Sequence, residues 1–122
     1  MTPSLPTAPV GNTALRITRL GLGTAPIANL YSTVTEAQAI ETVQRSFESG
    51  VRYFDTAPLY GRGVAEERVG MALQGVPRDQ FVLQTKVGGL VREDGSFEYD
   101  YSRDGVLRSF EESLKRLQMD RV

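Results

Sequence analysis

The run YFDTAPLYGRG, residues 53–63, brings an apolar stretch to an end on the carboxylate of Asp55 and sets the phenol of Tyr60 five residues further on. A second apolar run, FVLQTK, residues 81–86, ends on the ammonium of Lys86, and an earlier one, RLGLGTAPI, residues 19–27, runs out through Gly23 and Thr24. A carboxylate, a phenol and an ammonium become proton-transfer groups when a fold brings them within reach of one another. Taken singly, each has a plainer explanation. Asp55 could cap the next helix, Tyr60 could pack on its loop, and Lys86 could be a solvated charge leaving a strand. Where the chain places the three decides between these readings.

The elements that must position them follow from pattern. Gly11-Asn12 is a turn signal beside the alternating segment ALRIT, so a small N-terminal hairpin is expected. A short strand over Leu20–Gly23 leads into the Gly-Thr-Ala-Pro loop. Thr35 with Gln38 fits a capping box, Ala39, Ile40, Val43 and Phe47 form one helical face, and Gly50 supplies the stop. Strand residues 51–55 end on Asp55, and a helix over about residues 64–74 turns Ala65, Val69, Ala72 and Leu73 inward. Strand residues 81–86 precede a glycine-rich loop with room for a hairpin. Ser102 or Asp104 then caps a helix whose apolar face is Val106, Leu107, Phe110, Leu114 and Leu117, with Glu111–Lys115 and Glu112–Arg116 as solvated pairs. At MDRV the pattern points to another strand.

Composition narrows the partners. The 122 residues are 40% hydrophobic and 24% charged with a formal charge of −1, which is ordinary globular composition with no electrostatic case for nucleic acid or an anionic membrane. Cysteine and histidine are both absent, so disulfides, thiolate chemistry and histidine-held metals are excluded within this chain, and no metal site is expected. No apolar run reaches the ~20 residues of a membrane span. The opening MTPSLPTAPV, with three prolines, reads as a disordered tail over residues 1–10 and not as a signal peptide, making a cytoplasmic address the default.

Regular strand–helix alternation predicts a parallel sheet covered by helices. A doubly wound sheet would carry G-x-G-x-x-G after its first strand, and GLGTAP has only the first two glycines. A (β/α)8 barrel predicts instead that polar groups collect at the C-terminal ends of successive strands. Thr24, Asp55 and Lys86 occupy those ends and would project onto one face.

With that arrangement, GLGTAPI, GVRYFDTAPLYGRGVAEERVGMAL, RDQFVLQTKVGG and RSFEESLKRLQMDRV resemble the aldo-keto reductase superfamily in order and spacing over residues 11–122. The resemblance is greatest to the D-threo-aldose (L-fucose) 1-dehydrogenase branch, with pyridoxal reductases and L-galactose dehydrogenases as neighbours. It implies the N-terminal part of a (β/α)8 barrel, about three β/α units after the hairpin, ending before the strand that brings the family's catalytic histidine. It also implies NADP or NAD as cofactor, an aldose or small carbonyl compound as substrate, and Asp55, Tyr60 and Lys86 as catalytic residues. Gly23 and Thr24 would lie near the nicotinamide ribose, with Asp55 in reach. Two departures bear on the substrate mouth: Arg62 stands where histidine is frequent, and Gly89 where arginine is common.

The implied chemistry explains the set. Hydride transfer at a sugar carbon must be matched by proton transfer at its oxygen. A free phenol, with a pKa near 10, is a poor base near neutrality, and an ammonium beside it stabilises the phenolate. A partly buried ammonium in turn needs a carboxylate. The alternatives are carbonyl reduction, for instance of an aldehyde such as pyridoxal, and a non-catalytic barrel subunit or truncated product. The 122 residues alone are expected to be inactive, with open sheet edges and apolar surface around Ile40, Val69 and Phe110 incompletely covered.

Overall fold

The structure, a computed structural model, describes residues 3–122. It opens with an antiparallel hairpin of β1 (Thr7–Pro9) and β2 (Arg16–Thr18), in which Ala8 pairs with Ile17. The turn falls at residues 11–14, but the first strand lies inside the segment expected to be a disordered tail. That expectation is corrected: Leu5 packs against the main core and Thr7–Pro9 is a strand. Proline content misled the reading, because an edge strand requires no ladder donor from Pro9. Residues 1 and 2 of the expected tail lie outside the described residues.

A three-stranded parallel sheet follows, built from β3 (Leu22–Gly23), β4 (Tyr53–Asp55) and β5 (Val82–Gln84) in that spatial order. The helices are α1 (Glu36–Glu48), α2 (Val64–Ala72) and α3 (Arg103–Leu117). Between β5 and α3 stands an antiparallel hairpin, β6 (Gly89–Val91) with β7 (Phe97–Tyr99). Side chains alternate across a strand, so each sheet face reads every second residue. Phe54 and Leu83 face the helices, in one cluster with Ala39 and Val43 of α1, Val69 and Ala72 of α2, and Leu117 of α3. Burying Phe54, which has no exposed surface, contributes about 1.5–3 kcal/mol. Tyr53, Asp55, Val82 and Gln84 lie on the opposite face.

Local signals set the helix boundaries. Thr35 accepts from the Gln38 amide at 3.2 Å while the Gln38 side chain accepts from the Thr35 amide at 3.0 Å, so the capping box forms. Ser102, and not Asp104, caps α3 by accepting from the Gly105 amide at 3.1 Å.

The face of α3 differs from the expected one. Gly105, Ser109, Ser113 and Leu117 are buried, whereas Leu107 is exposed and Val106, Phe110 and Leu114 are half-buried. Small residues let α3 approach α2 and the hairpin closely, and the Ser109 hydroxyl accepts from the Gly88 amide at 3.0 Å. Of the three apolar positions expected to be incompletely covered, Ile40 and Phe110 are half-buried but Val69 is fully buried beneath α1 and α3. Among the described residues no helix is long and apolar enough to cross a membrane.

Candidate active site

β3 and β4 run parallel with Gly23 beside Asp55, and β4 and β5 with Asp55 beside Gln84. This register brings the C-terminal ends of all three strands to one rim. Asp55 is the last residue of β4, Thr24 follows β3 directly, and Lys86 lies two residues beyond β5. The Lys86 ammonium donates to Asp55 Oδ1 at 2.8 Å and to the Thr56 carbonyl at 2.9 Å. Its Nζ stands 5.1 Å from the centroid of the Tyr60 ring. The carboxylate, phenol and ammonium singled out in the sequence therefore converge, although they come from two strand ends and a loop.

Tyr60 owes its position to an unusual turn. Gly61, Arg62 and Gly63 all have positive φ, at 64°, 51° and 96°. Glycine adopts that region without penalty, whereas Arg62 occupies it against its steric preference. The Ala65 amide donates back to the Tyr60 carbonyl at 3.1 Å, joining the turn to the start of α2. The Arg62 guanidinium reaches across to the hairpin and donates to the Gly95 carbonyl at 2.7 Å.

Electrostatics keep Lys86 charged. Burial acts to lower its pKa, but the hydrogen bond and negative charge of Asp55 outweigh that effect and hold it above the ordinary value of 10.5. Asp55 is shared: Oδ1 also accepts from Gln84 Nε2 at 2.8 Å, and Gln84 Oε1 accepts from the Tyr53 hydroxyl at 2.7 Å. Both bonds fall on Oδ1, which leaves Oδ2 with acceptor capacity.

The two other expected site residues differ from each other. Gly23 is exposed, with open space where a Cβ would stand. Thr24 is fully buried, and both its amide and its hydroxyl donate to the Asp55 carbonyl, at 3.0 and 2.9 Å. Its side chain is spent inside the fold, where it fixes the end of β3 against the end of β4.

Sequence reasoning missed Glu66. This carboxylate is fully buried, accepting from Arg116 Nε and from the Thr85 hydroxyl, each at 2.8 Å. It joins α2 to α3 and to the residue just before Lys86. Arg116 was expected to pair with Glu112, but that contact is the longer one, at 4.0 Å. The missed signal was the alignment of Glu66 with Val69 and Gly70 on the inward face of α2.

The chain is similar to known proteins in both sequence and fold. Residues 19–122 match the model of the aldo/keto reductase family. The chain is 36% identical to D-threo-aldose 1-dehydrogenase of a Pseudomonas species, an alignment covering 88% of this chain and 39% of that enzyme. It is 37% identical to pyridoxal 4-dehydrogenase of Microbacterium luteolum, over 88% of this chain and 38% of that protein. Among solved structures, an aldo-keto reductase from Bacillus halodurans in its holo form superposes with a TM-score of 0.83 at 32% identity, covering 95% of this chain and 37% of that one. An aldo-keto reductase from Klebsiella pneumoniae in complex with NADPH gives 0.67 at 30% identity, over 86% of this chain and 33% of that one. The chain thus spans about two fifths of the length of these relatives. Its three parallel strands and their helices correspond to the N-terminal part of the family's (β/α)8 barrel. On the family match and on this superposition, the chain belongs to the aldo/keto reductase family.

Proposed function

We propose that the protein carrying this segment transfers a hydride between a nicotinamide cofactor, NADP or NAD, and an aldose, oxidising the anomeric carbon to a lactone. The observation that carries the reading is Lys86, whose ammonium is bonded to Asp55 at 2.8 Å while facing the Tyr60 ring at 5.1 Å. The residues at the rim fit a dinucleotide. Gly23 presents open backbone and Asp55 retains an acceptor at Oδ2, which suits a ribose diol, with Thr24 fixing that corner from behind. Bound there, the nicotinamide supplies the hydride acceptor.

The chain's own residues handle the proton. Tyr60 takes the proton of the anomeric hydroxyl as the anomeric C–H bond gives up its hydride, and the C–O bond becomes the lactone carbonyl. Lys86 holds positive charge beside the phenol as it changes protonation, and Asp55 and the Thr56 carbonyl keep Lys86 in place. In the reverse sense the same groups reduce a small carbonyl compound with Tyr60 as acid, and 31% identity to an NADH-specific methylglyoxal reductase of Escherichia coli supports this as the second reading. We assign the activity to a chain of the relatives' length. The 122 residues contain no histidine, and the parallel sheet they form has three strands and no closure.

The test supplies the full-length protein with either oxidised cofactor and a panel of aldoses, or with reduced cofactor and small aldehydes. Cofactor absorbance and lactone formation are followed. Aldose-dependent reduction of the cofactor is the expected result. No exchange in either direction would remove the reading.

A further inference from the structure

The hairpin β6–β7 is built into the rim of the site. Arg62, in the turn that carries Tyr60, holds its tip through the Gly95 carbonyl at 2.7 Å. At its base the Phe97 ring lies directly on the backbone of Gly89, so that a Cβ there would stand 2.5 Å from a ring carbon. The Tyr101 ring lies in the same way on Gly88, whose amide is anchored to Ser109 of α3. Both residues that depart from the family pattern, Arg62 and Gly89, therefore seat this one element. A salt bridge between Arg92 and Glu98 ties its two strands together.

What the hairpin presents to the site is aromatic. Phe97 meets Tyr99 edge-to-face at 5.1 Å, and Tyr99 stacks on Tyr101 at 5.7 Å with 12° between the rings. Tyr99 and Tyr101 are nevertheless 57% and 70% exposed. Together with Tyr60, Lys86 and Val87 these rings line a cavity of about 410 Å³, within the ~300–1,000 Å³ of small-molecule clefts. One wall of that cavity carries the proton-transfer groups and the other carries three aromatic rings, of which Tyr99 and Tyr101 keep the larger exposed surface.

We propose that the Phe97–Tyr99–Tyr101 ladder is the specificity wall of the substrate pocket, and that it selects the ring form of an aldose by stacking on the sugar's C–H face. A pyranose has two chemically different sides. Its axial C–H groups make an apolar, weakly positive face that suits the negative face of an aromatic ring. Its hydroxyl rim needs hydrogen-bonding partners, which the opposite wall supplies through Tyr60 and Lys86. An acyclic carbonyl compound has no such face and gains nothing from the ladder. The inference rests on the dehydrogenase reading of the same site and names its substrate class more closely.

The experiment measures kcat and KM of the full-length protein for a pyranose aldose and for glycolaldehyde. The variants are Tyr99→Ala with Tyr101→Ala, and Tyr99→Phe with Tyr101→Phe; pyranose binding is measured separately by calorimetry. The double alanine variant is expected to raise KM for the pyranose by about tenfold, with kcat changed far less. The double phenylalanine variant, which keeps the ring faces, is expected to restore it. For glycolaldehyde the shift should be several-fold smaller. Equal losses for both substrates, or no rise in the pyranose KM, would overturn the proposal. If the unmutated protein turned over neither substrate, the dehydrogenase reading would fall, while the wall would stand or fall on whether pyranose binding weakens in the alanine variant.

Discussion

Asp55 and Lys86 form one unit only if removing both costs little more than removing either. Their contact is 2.8 Å, at which two unit charges attract by about 1.5 kcal/mol in bulk water and about 6 kcal/mol at an effective dielectric of about 20. The Lys86 side chain is 46% exposed, so solvent screening pulls the value toward the lower bound. A coupling of about 2–3 kcal/mol follows, or roughly a hundredfold in rate. In a double-mutant cycle on kcat/KM of the full-length enzyme, Asp55→Asn and Lys86→Met are each expected to lose at least about a hundredfold. The double variant should fall close to the worse of the two. Losses that multiply, to about 10⁴-fold or beyond, would mean that the residues act separately and that Asp55 does not serve by holding Lys86.

Two further outcomes follow from the same neighbourhood. Glu66 has no exposed surface and its partner Arg116 is only 14% exposed, so Glu66→Ala leaves a nearly buried guanidinium with only the longer contacts to Glu112 and Ser113, at 4.0 and 3.4 Å, and removes the acceptor of the Thr85 hydroxyl. A loss of about 3–5 kcal/mol in a denaturant melt of the full-length protein is expected, and less than about 1 kcal/mol would contradict the assignment of Glu66 as a buried brace. Lys86 sets a pH limit. Its folded pKa is raised above the ordinary 10.5, so its stabilising contribution is complete below that value and is lost as pH rises through the folded pKa. The stability difference between wild type and Lys86→Met should therefore stay level from about pH 7 to about pH 9 and shrink only in stronger alkali; a decline already within that range would refute the ion pair.

Asp55, Tyr60 and Lys86 were legible because their positions depend on strand ends, and strand ends are marked by where an apolar run stops. Glu66 was marked only by its spacing from Val69 and Gly70. It sits in an acidic pair on a helix, a pattern that ordinarily belongs to a solvated face, and only the approach of α3 encloses it. The inward face of α3 was misread for a related reason. Gly105, Ser109 and Ser113 carry no apolar signal, yet close packing between layers needs small residues there, while Leu107 is left facing solvent. Thr24 was rightly placed at a strand end, but its hydroxyl turns to a neighbouring carbonyl that no sequence pattern names. The N-terminal segment showed the opposite failing, since proline density counted against order where one edge strand tolerates it. The aromatic ladder was present as FEYDY, but its meaning depends on Arg62 and Gly89, which seat the hairpin beside Tyr60.

The central claim is that Tyr60 moves the proton and takes no part in holding the dinucleotide. Tyr60→Phe removes a single oxygen at the site and leaves the ring, and with it the packing beside Lys86. In the full-length protein, aldose turnover by this variant is expected to fall by about 10²–10⁴-fold. Cofactor affinity, titrated in the absence of sugar, is expected to stay within about twofold, since no binding energy to the dinucleotide has been removed. Turnover close to wild type would contradict the account, and so would a loss explained by weakened cofactor binding.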